Sequence, residues 1–281
     1  MADTILQTIA DYARVRTEQA KKQISPEKME ARARELRAAE LERQSRGTGG
    51  GFSFEQALSG PDIGFICECK KASPSKGLIA PDFPYVEIAR EYEAAGAACI
   101  SVLTEPKWFL GENRFLKEIG ETVSIPCIRK DFTVDEYMIY EAKTLGASAV
   151  LLICSLLDTV TLRRYREICD ELGLSALVEA HDEREIDSAL QAGARIIGVN
   201  NRNLKDFTVD VHNSEKLRRL VPEEVLFVAE SGIRTAEDIR VLRQARVNGV
   251  LIGETLMRSP DKKRMLDELR GAPGERENAA L

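Results

Sequence analysis

Eight short apolar runs recur from residue 63 onward: "IGFICECK", "ACISVLT", "IPCIRK", "AVLLICS", "SALVEA", "RIIGVNN", "VLFVAES" and "NGVLIGE". Between them lie segments of helical character such as "YVEIAREYEAAG", "DEYMIYEAKTLG" and "TAEDIRVLRQAR". Gly96, Gly146, Gly173 and Gly193 each fall where a helix should end and a strand begin, a position that favours positive φ. Runs that are apolar on both faces belong to a parallel sheet covered by helices. Eight similarly spaced strand-helix units close naturally on themselves, so the fold expected is α/β, a (β/α)8 TIM barrel. A doubly wound open sheet is the alternative.

The residues before the first run read differently. Segments 4–24 and 26–43 look like two polar helices, with Ile5, Ile9 and Tyr12 at helical spacing and Ser25-Pro26 as a cap followed by proline at the first helical position. "SRGTGGGFSF" then breaks the pattern with four glycines. The expected organisation is an N-terminal helical extension with a Gly-rich linker over residues 1–51, a barrel over 52–270 and a disordered polar tail over 271–281. The extension is either an appendage packed on the barrel or a lid over it.

Bulk properties exclude several classes. With 281 residues and 43% hydrophobic side chains the chain can build one large core, and its net charge of −6 argues against a general nucleic-acid or anionic-membrane binder. The six cysteines lack the spacing of a metal finger or a disulfide framework. Cys67 and Cys69 read as small buried side chains packing outward from the first strand. No apolar stretch approaches a membrane span, and the first residues lack a signal-peptide h-region. A cytoplasmic enzyme or binding protein is the expectation.

In a parallel barrel the chemistry lies at the C-terminal ends of the strands. Glu68 and Lys70 sit at alternate positions of the first strand and should share a side. The third run ends in Arg129-Lys130-Asp131, the fifth in Glu179, the sixth in Asn200-Asn201 and the seventh in Glu230-Ser231-Gly232. Each alone reads as a solvated or ion-paired residue, and Glu68 and Glu230 could simply pair with Lys70 and Lys130. Gathered on one rim, they point to a reaction site. Gly232 and Gly253 lie in loops that bind phosphate in many barrels. Glu254 is awkward beside an anion, and its side chain is expected to point away. His181 and His212 are read as loop residues, which makes a His-rich metal site a poor fit.

These residues resemble those of a known family. "ECKKASPSKG", "SVLTEPKWFLG", "IPCIRKDF", "LVEAHD", "GVNNRNL", "AESGI" and "LIGETLMR", in this order, are similar to the motifs of indole-3-glycerol phosphate synthase, an enzyme of tryptophan biosynthesis. The resemblance implies a lyase that closes the ring of an anthranilate-derived aminodeoxyribulose 5-phosphate with loss of CO₂ and water, using no metal or organic cofactor. It implies Lys130 as the general acid on the ketone oxygen and Glu179 as the general base or stabilising carboxylate. Glu68 and Asn200 would orient these groups, and Lys70 would contact the substrate's carboxylate and phosphate. Ser73 would hold the carboxylate, and Arg202 would assist anion binding. Glu230 and Ser231 would form the floor, Gly232 and Gly253 would offer backbone donors to phosphate, and Phe109 and Phe132 would flank the anthranilate ring. The Ser-Pro-Ser turn becomes an anion-holding loop that is expected to be mobile.

Other functions fit parts of this pattern. An isomerase or epimerase of the same fold would want a catalytic cysteine ending the first strand, or inward histidines. A sugar-phosphate sensor would have no use for both Lys130 and Glu179. The partner expected is a small sugar phosphate, with neither nucleic acid nor membrane. Whether the chain is a monomer or a weak homo-oligomer, and whether it works beside other tryptophan-pathway enzymes, the sequence leaves open.

Overall fold

The computed structural model describes residues 4–45, 51–202, 208–210 and 212–271. The glycine-rich core of the linker and all but the first residue of the expected disordered tail lie outside the described residues. Two long helices come first, α1 (Ile5–Gln23) and α2 (Pro26–Ser45). The Thr4 hydroxyl caps α1 by accepting from Gln7 N at 3.3 Å, supplying one of the partners that a helix start lacks internally. A six-residue helix, α3 (Ser53–Leu58), follows.

The eight apolar runs form eight strands: β1 (Gly64–Cys69), β2 (Cys99–Leu103), β3 (Cys127–Lys130), β4 (Ala149–Ile153), β5 (Ser175–Ala180), β6 (Ile196–Asn200), β7 (Leu226–Glu230) and β8 (Gly249–Ile252). Each pairs in parallel with its sequence neighbours, and β8 closes onto β1 with Gly64 opposite Gly249. The closed barrel settles the choice against an open sheet. Its covering helices are α4 (Tyr85–Ala94), α5 (Asn113–Thr122), α6 (Glu136–Thr144), α7 (Thr159–Leu172), α8 (Glu183–Gln191), α9 (His212–Arg218) and α10 (Ala236–Gln244). After β8 come the short α11 (Glu254–Arg258) and α12 (Lys262–Arg270). The four inter-element glycines expected at positive φ all adopt it.

Alternation along the strands divides the core in two. Ile66, Ile128, Leu151, Leu177, Ile196 and Val228 fill the barrel interior, and Phe54 and Leu58 of α3 pack with them. Gly64 and Gly249 stand at strand starts because a Cβ there would come within 2.9 and 3.0 Å of Leu58 Cδ2. Helix α3, too short at six residues to show a period in the sequence, is therefore a plug at the end opposite the strand C-termini. Glu55 fixes it by accepting from Arg195 at 2.8 and 2.9 Å and from Ser175 at 3.0 Å. Outward positions such as Phe65, Cys67, Cys69, Val102, Leu152 and Phe227 bury against the helices, and both Cys67 and Cys69 face that way as expected. Removing a buried Leu from such a core costs roughly 2–5 kcal/mol.

The N-terminal extension lies against α6 and the end of β3. Lys143 donates to Glu40 at 2.6 Å, Lys21 to Asp135 at 2.7 Å and Arg16 to Asp131 at 2.8 Å. Among the described residues, no helix is long and apolar enough to cross a membrane.

Candidate active site

The period of two along β1 turns Glu68 into the barrel mouth, and Lys70 follows on the same side. Lys70 Nζ lies 2.5 Å from Glu68 Oε1, while Ser101 of β2 donates to Glu68 Oε2 at 3.3 Å. The backbone of Gly253 presses on this pair. A Cβ at that position would overlap Glu68 Oε1 and approach Lys70 Nζ to 2.7 Å. Beyond Lys70, Ala72–Ser73 pairs antiparallel with Gly77–Leu78, so the turn expected to be mobile is closed as a small hairpin.

Lys130 ends β3 at the centre of the rim. Its Nζ lies 3.1 Å from Glu179 Oε2 and 3.0 Å from Glu230 Oε2, and both carboxylates are buried. Burial disfavours the ammonium, but Glu230, Glu179 and Glu68 together hold the Lys130 pKa above its ordinary value. Two buried carboxylates share this one cation, and they divide unequally. Burial presses the Glu179 carboxyl upward, yet Lys130, His181 and the amide of Asn200, 3.3 Å from Oε1, hold it below its usual range. Glu230 has fewer donors: burial and the neighbouring Glu179 charge raise it to about 7 despite Lys130. Its Oε1 is buried without a hydrogen-bond partner among the described residues. Gly198 makes room for that oxygen, since a Cβ there would collide with it.

The aromatic wall depends on two further carboxylates. Glu105, fully buried, accepts from the backbone N–H groups of Lys107, Trp108 and Phe109 at 2.9, 2.7 and 3.0 Å. That fixes the loop presenting Phe109, whose ring centroid is 6.3 Å from that of Phe132. Asp131 accepts from Phe132 N at 2.8 Å, from Thr104 at 2.7 Å and from Arg16 of α1. Burial would raise the Asp131 carboxyl, but Arg16 and Arg129 hold it below its usual range. Ile5, Leu6 and Ile9 of α1 line the same cavity as the two phenylalanines. The extension is thus a wall of the site.

Every residue named from the sequence for catalysis or binding lines this one cavity, from Glu68, Lys70 and Ser73 round to Ser231, Gly232 and Gly253. Arg202 is placed beside Asn200, whose side-chain oxygen accepts its N–H at 3.0 Å. Ser231 and Gly232 both take left-handed backbone, φ 69° and 83°, which turns the chain sharply at the end of β7. Glu254 lines the cavity too, and its carboxylate is neutralised by Arg258 at 3.1 Å and Lys76 at 3.7 Å rather than simply directed away.

Several contributors carry no clear mark in the sequence. His181, a loop residue by sequence, brings Nε2 to 3.5 Å from Glu179 Oε1. Glu105 and Gly198 had visible signals, an acid inside an otherwise apolar-aromatic loop and a glycine within a strand run, but no role could be given to them. Arg16 had none. Among the described residues no group of three or more His, Cys, Asp or Glu side chains is placed to hold a metal ion.

Comparison with known proteins gives the fold and the family. Among solved structures, 3-hexulose-6-phosphate synthase from Salmonella typhimurium superposes with a TM-score of 0.61 at 12% identity, covering 74% of this chain and 96% of that one. Thiamine phosphate pyrophosphorylase from Pyrococcus furiosus does so with a TM-score of 0.56 at 19% identity, covering 77% and 96%. These likenesses show the barrel alone. A relative named indole-3-glycerol phosphate synthase from Ruminiclostridium cellulolyticum is 56% identical over 95% of this chain and 99% of its own length. Another of that name, from Endomicrobium trichonymphae, is 59% identical over 78% and 84%. The family model for indole-3-glycerol phosphate synthase matches residues 16–269. On this match and these identities, the chain belongs to the indole-3-glycerol phosphate synthase family.

Proposed function

We propose that this rim converts 1-(2-carboxyphenylamino)-1-deoxyribulose 5-phosphate to indole-3-glycerol phosphate, with the division of labour that follows. The observation carrying it is the Lys130 ammonium held between the buried carboxylates of Glu179 and Glu230. The barrel, residues 52–270, is the catalytic body, and residues 1–51 are its extension.

The reaction asks for a cation and a base close together. Lys130 donates to the ketone oxygen as the ring carbon bearing the carboxylate attacks the ketone carbon. One C–C bond forms, and the oxygen becomes a hydroxyl. CO₂ then leaves, returning its electron pair to the aromatic ring. Last, the hydroxyl departs as water with an added proton, and Glu179 takes the proton lost from the adjoining carbon. Before that step the Glu179 charge faces the cationic intermediate. Lys70 sits on the carboxylate and phosphate side, paired with Glu68 until substrate arrives, and is the second acid. Asn200 and Glu68 orient these groups and bind hydroxyls.

Ser73 and Arg202 receive the substrate's anions, and the backbone at Gly232 and Gly253 receives phosphate. Phe109 and Phe132 flank the aromatic ring, whose apolar area favours the dry side of the cavity. Glu230 and Ser231 form the floor. Among the described residues the exposed large apolar side chains, Val15, Leu36, Leu41, Leu78, Leu110, Val160 and Leu220, are spread over several elements, which suits a monomer or weak homo-oligomer. The cytoplasm is the compartment that goes with this biosynthetic reading. Turnover of the purified chain with this substrate, followed by the appearance of indole fluorescence, tests the reading. A folded protein that yields no indole product rejects it.

A further inference from the structure

His181 has an arrangement that the division of labour above does not use. It follows β5 directly, two residues beyond Glu179, and does not line the cavity. Its ring is fixed from behind. Nδ1 lies 3.0 Å from Glu185 Oε2, and the same carboxylate accepts the His181 backbone N–H at 2.8 Å. Glu185 is itself held by Ser155, which donates to Oε1 at 2.5 Å. The far nitrogen, Nε2, is buried and has no hydrogen-bond partner among the described residues. It lies 3.5 Å from Glu179 Oε1, the carboxylate oxygen that Lys130 does not hold, within reach of an ion pair.

We propose that His181 is a positioning residue for Glu179: anchored at Nδ1 by Glu185, its imidazolium is held 3.5 Å from the Glu179 oxygen that Lys130 leaves free and so keeps that carboxylate charged as the base. The inference rests on the reading of Glu179 given under Proposed function. With Nδ1–H donated to Glu185, a proton on Nε2 meets no other hydrogen-bond acceptor among the described residues. The charges facing the ring come from several elements. Glu179 on β5 and Glu185 on α8 are the nearest, and Glu230 on β7 adds to the negative field. Lys130 on β3 lies beyond Glu179 and faces its other oxygen. Asn213 of α9 donates to the His181 carbonyl at 3.4 Å, and Cys154 before Ser155 is a thiol with its pKa raised by burial. Burial opposes charge on the ring, but Glu185 and Glu179 reverse this and raise the histidine above its ordinary value.

The sign follows. An imidazolium at this distance favours ionised Glu179, so removing it raises the pH at which Glu179 becomes a base. An opposite charge within ~4–6 Å typically moves a carboxyl by about one unit or more. In His181→Asn, the acid limb of the kcat/KM profile is therefore expected to move up by about one pH unit, with activity near the native level on the alkaline side. Glu185→Gln, which frees Nδ1, should move the same limb in the same direction. Coincident profiles, or a loss uniform across pH, would overturn the proposal. Because the chain has only two histidines, their imidazole resonances offer a second reading. The His181 midpoint should fall in Glu179→Gln, and an unchanged midpoint rejects the pairing even if His181→Asn does not fold. Full activity in Glu179→Gln would instead strike the reading of Glu179 itself.

Discussion

Arg16 Nη2 and Asp131 Oδ1 lie 2.8 Å apart, joining the first helix of the extension to the residue that immediately follows Lys130. The Asp131 side chain is fully buried, and Phe132 N donates to the same oxygen that receives Arg16. One carboxylate therefore ties α1, the end of β3 and the start of the aromatic wall together. Tyr12 of α1 adds a second tie, its ring 5.6 Å from that of Trp108 in the loop fixed by Glu105.

Breaking one side of a buried ion pair typically costs ~3–5 kcal/mol. Arg16→Met should cost less, about 2 kcal/mol, because Thr104 and Arg129 remain beside Asp131. It should also lower kcat, since α1, which lines the site, is no longer tied to the end of β3. Urea unfolding and steady-state kinetics together check this. Native stability and native kcat in Arg16→Met would show the contact to be incidental.

Lys130→Met should lose most activity while the protein stays folded, because general acid catalysis contributes on the order of 10²–10⁴-fold. Lys130→Arg should not restore it, since a planar guanidinium fork is not interchangeable with the compact ammonium seated between Glu179 and Glu230. A near-normal kcat in either variant would remove Lys130 from the role assigned to it.

Glu179→Gln keeps the shape and the contact with Asn200 but removes charge and base. A steep fall in kcat is expected, with melting temperature and substrate binding little changed. A destabilised but fully active variant would make Glu179 a structural partner of Lys130 only. The same change removes the charge that pushes Glu230 upward.

Glu230 should leave a mark on stability against pH. Its folded-state pKa, about 7, lies above the ordinary 4.5, so the folded chain binds this proton more tightly than the unfolded chain does. The associated stability is present below the ordinary value and is lost as pH rises through about 7. Glu230→Gln removes that loss. The melting temperature of the variant relative to the native chain should therefore rise between about pH 5 and about pH 8, and a constant difference would show that Glu230 titrates normally.

Gly253→Ala tests the close approach of backbone to the Glu68–Lys70 pair. The added Cβ overlaps Glu68 Oε1 and must displace it or Lys70. Activity should fall by more than tenfold, a loss of about 1.4 kcal/mol or more in transition-state stabilisation. Native kinetics in this variant would mean that the pair can shift freely.

Much of this protein was legible in order along the chain. The barrel follows from strand and helix periods, which are local, and from the count of repeats, which limits how the sheet can end. The rim follows too, because parallel strands bring their C-terminal residues to one mouth, so Glu68, Lys130, Glu179, Asn200 and Glu230 could be collected without knowing any distance. What the sequence could not contain was the outcome of docking between distant segments. Arg16 and Asp131 are 115 residues apart, and nothing local to either marks the other. His181 read as a loop residue because its meaning lies in Glu185 behind it and Glu179 in front. Most of all, Glu179 and Glu230 are the same residue type at equivalent strand ends, yet one is held charged and the other is poised near neutrality. That difference comes from the number of donors each buried carboxylate meets, a property of the folded neighbourhood and of nothing smaller.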